Sequence, residues 1–229
     1  MDRLCIITAR GGSKRIPRKN IKPFMGKPMV CYAIEAAIGS KLFDEIMVST
    51  DDAEIAGIAK SAGAQVPFMR SVATANDFAT TRDVLLEVIE EYGKLGRKFD
   101  EVACIYPCVP FLVAGILVLA HKAFVDSGAD CLMPVVKYSF PIQRAVRIND
   151  TGLLEYREPD SASRRSQDLE PMYHDVGMFY FYKMPALLTG EGKTVPYVMP
   201  EERVQDIDTI DDWHLAEMKF KLLTSQPSP

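Results

Sequence analysis

Short runs rich in β-branched and aromatic residues alternate along the chain with longer segments whose apolar positions recur at helical spacing. The runs predict strands near 4–8, 45–50, 66–70, 101–107, 131–137, 178–183 and 195–200. Between them, Ile55, Ile58, Ala59 and Ala62 mark one helical face, and Val84, Leu85, Val88, Ile89 and Tyr92 mark another. A last helix beginning near Thr209 sets Trp213, Ala216, Phe220 and Leu223 on one side. This alternation belongs to an α/β protein with a largely parallel sheet covered on both faces. No internal repeat is visible.

The rhythm fails between Tyr138 and Met172, where Arg144, Arg147, Arg157, Arg164 and Arg165 are interspersed with acids and polar residues. A segment of that length inside one domain carries structure of its own or serves an interface. Phe140, Pro141, Ile142, Val146, Ile148, Leu153, Leu154 and Tyr156 give it apolar surface to bury, so residues 138–172 are expected to form a projecting arm or lid. Residues 1–223 then form one domain around that insertion, and 224–229 read as a disordered tail.

Length and charge narrow the function. The 229 residues can bury one sizeable core, and a formal net charge of −4 gives no support to a nucleic-acid or membrane-surface role. No apolar run approaches the ~20 residues of a spanning helix, so a soluble, cytoplasmic protein is expected. Cys5, Cys31, Cys104, Cys108 and Cys131 lie in apolar surroundings without metal-ligand spacing and read as reduced core residues. Charge is nevertheless uneven: from Arg3 to Ala33 there are eight Lys or Arg and no Asp or Glu. Such a focus suits a small polyanion.

The centre of this basic stretch is the loop Thr8-Ala9-Arg10-Gly11-Gly12-Ser13-Lys14-Arg15-Ile16-Pro17-Arg18-Lys19-Asn20, just past the first strand. A Walker A loop must run straight into a helix, whereas Pro17, Pro23 and Pro28 delay helix until about Met29. The dinucleotide fingerprint also fails, for want of GxGxxG. What remains is an extended loop at a strand exit, the place where open α/β sheets bind ligands. Its glycines admit close approach of phosphate oxygens, and Arg10, Lys14 and Lys19 can neutralise them. A solvated basic surface is the plainer alternative.

A second stretch, Arg203 to Trp213, contains Asp206 and Asp208. In extended backbone their side chains project to one face, about 7 Å apart, and two such carboxylates can share a hard cation such as magnesium with phosphate oxygens. Helix capping competes as an explanation, with Asp208 as N-cap and Asp211 and Asp212 in a first turn.

Together these residues resemble the cytidylyltransferases that activate nonulosonic acids, the CMP-sialic acid synthetase family. The likeness spans the loop from Ala9 to Asn20, Ser49-Thr50-Asp51, Arg70 with Asp77 to Thr81, Tyr106 to Pro110, and Asp206-Ile207-Asp208. It implies a three-layer α/β/α Rossmann-like nucleotide-diphospho-sugar transferase fold, CTP bound above the strand exits, and an arm exchanged in a homodimer. Of the loop residues Ala9 to Asn20, it would bring Arg10, Ser13, Lys14 and Lys19 to the triphosphate and Ala9, Gly12 and Asn20 to the nucleotide. Arg70, Thr80 and Thr81 would meet the cytidine, and Asp206 and Asp208 would hold Mg2+. Arg10, Lys19, Asp206 and Asp208 would carry catalysis.

Two departures lie on the sugar side. The N-acetylneuraminate enzymes have Gln-Pro-Thr-Ser-Pro where this chain has Tyr106-Pro107-Cys108-Val109-Pro110, and Arg-Pro-Asn-Gly where it has His174-Asp175-Val176-Gly177. With Gln143, Arg144 and Tyr173, these features look like the pseudaminic acid branch of the family. Tyr106, Gln143, Arg144, Tyr173, His174 and Asp175 are therefore the candidate contacts to a nine-carbon 2-keto acid. Arg144, Arg164 and Arg165 are candidates for its carboxylate. N-acetylneuraminate, legionaminate and 3-deoxy-octulosonate enzymes, or a non-catalytic nucleotide-binding regulator, are the alternatives. An RNA-binding role would call for aromatics among the cations, and only Phe24 lies there.

Overall fold

The computed structural model describes residues 1–225. β1 (Arg3–Thr8) leads through the basic loop and a small ribbon, β2 (Pro23–Phe24) with β3 (Lys27–Pro28), into α1 (Met29–Ser40). Then come β4 (Glu45–Ser49), α2 (Ala53–Ser61), α3 (Thr81–Lys94), β5 (Glu101–Ile105), α4 (Ala114–Ser127) and β6 (Cys131–Lys137). The inserted segment holds a hairpin, β7 (Val146–Ile148) with β8 (Leu154–Tyr156), between short 3-10 turns. The chain returns as β9 (Tyr173–Asp175), β10 (Phe179–Lys183), α5 (Met184–Thr189), β11 (Thr194–Val198) and α6 (Ile210–Ser225).

The main sheet runs β11-β6-β10-β5-β1-β4, with β9 also paired to β6. β1 is parallel to β4 and β5, and β11 is parallel to β6, while β9 and β10 run antiparallel to their neighbours. β1 shows why both faces are covered. Cys5 and Ile7 pack with residues of α1, α2 and α4, whereas Leu4 and Ile6 pack with Leu85, Val88 and Tyr92 of α3 and Leu187 of α5. All four strand residues are fully buried, as a strand between two helical layers requires. The parallel strands β1, β4 and β5 end together, so the loops after Thr8, Ser49 and Ile105 crowd one rim.

Three expectations need correction. Residues 66–70 do not form a strand: the pairing stops at an isolated bridge between Met47 and Gln65. Pro67 has no N–H to extend a ladder, and the segment bends at Pro67 and Phe68 before Arg70 N–H reaches the Thr50 carbonyl. At the other end, Thr224 and Ser225 belong to α6 rather than to a tail, and 226–229 lie outside the described residues. The arm at 138–172 has structure, but it leaves its apolar side chains largely uncovered: Phe140 is 84% exposed and Ile148 73%.

Candidate active site

Glycine and a crossed network of ion pairs shape the loop after β1. A Cβ on Gly11 would sit 2.9 Å from an Asp52 carboxylate oxygen, closer than side chains tolerate, so the backbone can approach α2 only as glycine. Gly11 N–H donates to Asp51 at 2.8 Å. Arg18, at φ 58, grips Asp52 and Glu54 at the start of α2. Asp52 also caps that helix, accepting from the N–H groups of Glu54 and Ile55. The Arg18 guanidinium and these amides hold the Asp52 carboxyl below its ordinary range. Asn20 is buried; its amide donates to the Arg10 carbonyl at 2.8 Å and its oxygen accepts from the Cys108 thiol.

A cavity of about 540 Å³ opens above this loop, lined by Arg10, Ser13, Lys14, Arg15, Lys19 and Asn20 on one side and by Asp206 and Asp208 on the other. Residues almost two hundred positions apart therefore converge. Lys19 Nζ donates to the Ile207 carbonyl at 2.6 Å and approaches Asp208 at 3.4 Å, and Arg15 meets Asp208 at 2.9 Å. Buried Ile207 anchors the segment between the two aspartates, packing with Ile16, Phe24, Met29 and Trp213. Asp208 does not cap α6. Thr209 does so, its hydroxyl accepting from Asp212 N–H while the Asp212 carboxylate accepts from the Thr209 N–H and hydroxyl. Both Asp206 and Asp208 are thus free of capping and line the cleft, Asp208 in ion pairs with Arg15 and Lys19.

A neighbouring cavity of about 310 Å³ is lined by Arg10, Arg70, Thr80, Thr81 and Tyr106. Arg70 is buried, bonded through Nε to the Ser49 hydroxyl and through Nη2 to the Ser49 carbonyl; burial lowers its guanidinium pKa. Thr80 is committed to capping α3 through a reciprocal pair with Asp83, whereas Thr81 bonds the Tyr106 hydroxyl at 2.9 Å. A third cavity, about 540 Å³, is lined by Tyr106, Lys137, His174, Asp175, Gln205, Asp206 and Lys219, among others. Gly177, at φ 64, lets the chain turn between β9 and β10 and lines both this cavity and the first. Tyr106 lines all three, and burial raises its phenol pKa.

Several sequence-based candidates lie elsewhere. Ala9 is fully buried with its N–H on the Ser49 carbonyl, and neither it nor Gly12 lines a cavity. Gln143 donates to the Glu170 carbonyl and Arg144 to the Ser166 hydroxyl, so both hold the arm together and face none of the three cavities. Arg164 and Arg165 are likewise bonded to Asp168. Tyr173 stands exposed on β9 and lines none of the three cavities, whereas His174 and Asp175 do line the third, His174 packing on Tyr138 at 4.8 Å between ring centroids. Asp175 accepts from Gly177 N–H and the Tyr180 hydroxyl. The cations that do line the third cavity, Lys137 and Lys219, carry no sequence signal beyond being lysines. Arg15 and Asp77, which also line the first cavity, carry no sequence signal for a role of their own.

The chemistry of the donor set bears on metal binding. Among the described residues no group of three or more His, Cys, Asp or Glu is arranged to hold a metal ion. Asp206 and Asp208 supply carboxylate oxygens beside the cationic loop, which suits a hard cation completed by substrate oxygens better than a closed protein cage.

Known proteins place this arrangement. Residues 4–106 match the model of a cytidylyltransferase family. The chain is 39% identical over 226 residues, 97% of each protein, to the pseudaminic acid cytidylyltransferase of Campylobacter jejuni serotype O:2. It is 38% identical over 230 residues, 96% of each, to the CMP-N,N'-diacetyllegionaminic acid synthase of Legionella pneumophila. A solved CMP:2-keto-3-deoxy-manno-octonic acid synthetase complexed with CTP shares the fold, with a TM-score of 0.67 at 18% identity, covering 99% of this chain and all of that one. The chain belongs to the cytidylyltransferase family and is a CTP-dependent nucleotidyltransferase. No described helix is long and apolar enough to cross a membrane.

Proposed function

We propose that the protein activates a nonulosonic acid, pseudaminic acid in the first instance, with CTP to give the CMP-sugar and pyrophosphate. The observation that carries this reading is the convergence of Arg10, Lys14 and Lys19 with Asp206 and Asp208 around one cavity, flanked by two others that share Tyr106. The smaller cavity, with Arg70 and Thr81, suits the cytidine, and the third suits the sugar. The sugar's anomeric hydroxyl attacks the α-phosphorus in line; an O–P bond forms as the hydroxyl proton passes to solvent, the α–β bridge breaks, and pyrophosphate leaves. Arg10, Lys14 and Lys19 take up charge that moves towards the leaving group. Asp206 and Asp208 would hold magnesium together with phosphate oxygens, and bound there it supplies Lewis-acid polarisation of the α-phosphate. Lys137 and Lys219 offer a sugar carboxylate its cations from within the same chain.

Identity to the Legionella protein favours a second sugar, legionaminic acid, almost as well. The arm supports a homodimer, because its exposed apolar residues need a partner surface. The test is pyrophosphate release from CTP and magnesium with purified pseudaminic, legionaminic and N-acetylneuraminic acids in parallel. Turnover highest with pseudaminic acid is expected. Faster turnover of another sugar would reassign the substrate, and no release with any of them would overturn the reading.

A further inference from the structure

Asp77 occupies an unusual position. Its carboxylate bridges two cations of the basic loop, one oxygen accepting from Arg10 Nη1 at 2.7 Å and the other from Lys14 Nζ. Arg10 Nη1 also donates to the carbonyl of Asn76, at 3.1 Å, so the guanidinium holds both residues of one turn. Asp77 lines the cavity that contains Asp206 and Asp208 and also the cavity that contains Arg70 and Thr81. It therefore stands at their boundary, with an oxygen on each of the two cations that a polyphosphate passing between them would use.

The turn that bears it is fixed at its two ends and loose between them. Ser71 N–H and the Thr74 hydroxyl donate to Glu87 on one side, and Thr80 caps α3 on the other. Between these anchors, apart from the bonds to Arg10 and Lys14, Asn76 makes a local turn, accepting from the N–H groups of Phe78 and Ala79, and Phe78 is 94% exposed. Nothing packed has to be broken for this turn to move.

We infer that Asp77 is a built-in competitor for the triphosphate: it occupies Arg10 and Lys14 while the cleft is empty, yields them to CTP, and reclaims them as pyrophosphate departs. This rests on the assignment of the loop to phosphate binding. The Asp77 carboxyl is held below its ordinary range by hydrogen bonds from Lys14 and Arg10, so it is charged at any neutral pH at which CTP is. Phosphate and carboxylate cannot both sit on the same two cations without like-charge repulsion in the cleft. A tethered anion competes at an effective concentration far above that of free acids. Every ligand that needs both cations then binds more weakly than the bare loop would allow, and the leaving group is expelled more readily.

The experiment is calorimetric titration of the full-length protein with CTP and, separately, with inorganic pyrophosphate, both with magnesium, for wild type, Asp77→Asn and Asp77→Glu. Exposed ion pairs are individually weak, so Asp77→Asn is expected to tighten both ligands by only about fivefold and to lower the pyrophosphate inhibition constant by a similar factor. Asp77→Glu, which keeps the charge, should stay near wild type. The gain should shrink in 0.5 M salt, where a Debye length of about 4 Å screens such pairs. If Asp77→Asn is poorly folded by thermal unfolding, Asp77→Ser takes its place. Unchanged or weaker pyrophosphate binding in the neutral variant overturns the inference. Failure of wild type itself to bind CTP or pyrophosphate would instead overturn the phosphate-binding assignment beneath it.

Discussion

Single side chains divide sharply into those the sequence could reveal and those it could not. Arg10, Lys14, Lys19, Asp206 and Asp208 were legible because a cationic loop at a strand exit and a spaced acidic pair each imply a chemistry, and the structure brings all five to one cavity. Asp77 and Arg15 were not, because their meaning lies in their partners, Arg10 and Lys14 for one and Asp208 for the other. Gln143 and Arg144 are the opposite case: they have the right functional groups, but within one chain these bond Glu170 and Ser166. Lys19 is the strongest residue-scale test. Its amine bonds the Ile207 carbonyl and reaches Asp208, so it links the basic loop to the acidic segment. Lys19→Ala and Asp208→Ala should each lower kcat by a hundredfold or more, the usual consequence of losing one preorganised charge contact. Unfolding temperatures within a few degrees of wild type would show that the loss is chemical. Near-normal turnover in either variant would remove that residue from the mechanism.

At the scale of elements, periodicity located the strands and helices that face the core and misread those decided by context. The run at 66–70 has strand composition, yet with its proline it pairs with no strand, and the one bridge beyond β4 falls before it, at Gln65. The antiparallel direction of β10 could not be read either, since a strand covered on both faces has the same apolar composition in both directions. α6 illustrates an element whose packing matters for the site. Trp213 is 2% exposed and meets Phe24 edge to face at 5.4 Å; Phe220 meets the same ring at 5.5 Å. Phe24 comes from the β2–β3 ribbon that follows the basic loop, and Ile207, between the two aspartates, belongs to the same cluster. This aromatic cluster is therefore what holds the cationic loop and the acidic segment in register. Trp213→Ala should cost about 3–5 kcal/mol of stability, the range for deleting a large buried aromatic. Chemical denaturation measures it. Activity at a temperature where the variant is still folded should fall more than it does for Trp213→Phe, which keeps an aromatic partner for Phe24. Equal activity in the two variants would dissociate the cluster from the site.

For the whole molecule, the unfinished surface is the arm. Its hairpin has two unlike faces: Val146 pairs with Tyr156 and Ile148 with Leu154, while Arg147 and Glu155 form an ion pair between them on the opposite side. Ile148 is 73% exposed and Leu154 69%, and an isolated two-stranded hairpin is marginal in water. An apolar patch held out on such a hairpin is stable only when something covers it, and a second copy offers a self-complementary surface about a twofold axis. The broken rhythm marks the segment 138–172 in the sequence but not the hairpin within it, because strands of three residues are too short for a period to register. Each of these side chains would be buried twice in a symmetric pair, at about 1.5–3 kcal/mol apiece. If the proposed dimer forms through this face, the Ile148→Asp, Leu154→Asp double variant should be monomeric at concentrations at which wild type associates. Light scattering across a dilution series measures both. Arg144, held within the arm, would approach a sugar site only from a partner, so sugar affinity in the monomeric variant carries a second reading. Affinity that falls with dissociation while CTP binding persists would place an arm residue in the neighbouring cleft. Affinity that is unchanged would leave Lys137 and Lys219 as sufficient within one chain. A wild type that is monomeric at micromolar concentration would overturn the dimer and require another partner for the hairpin's apolar face.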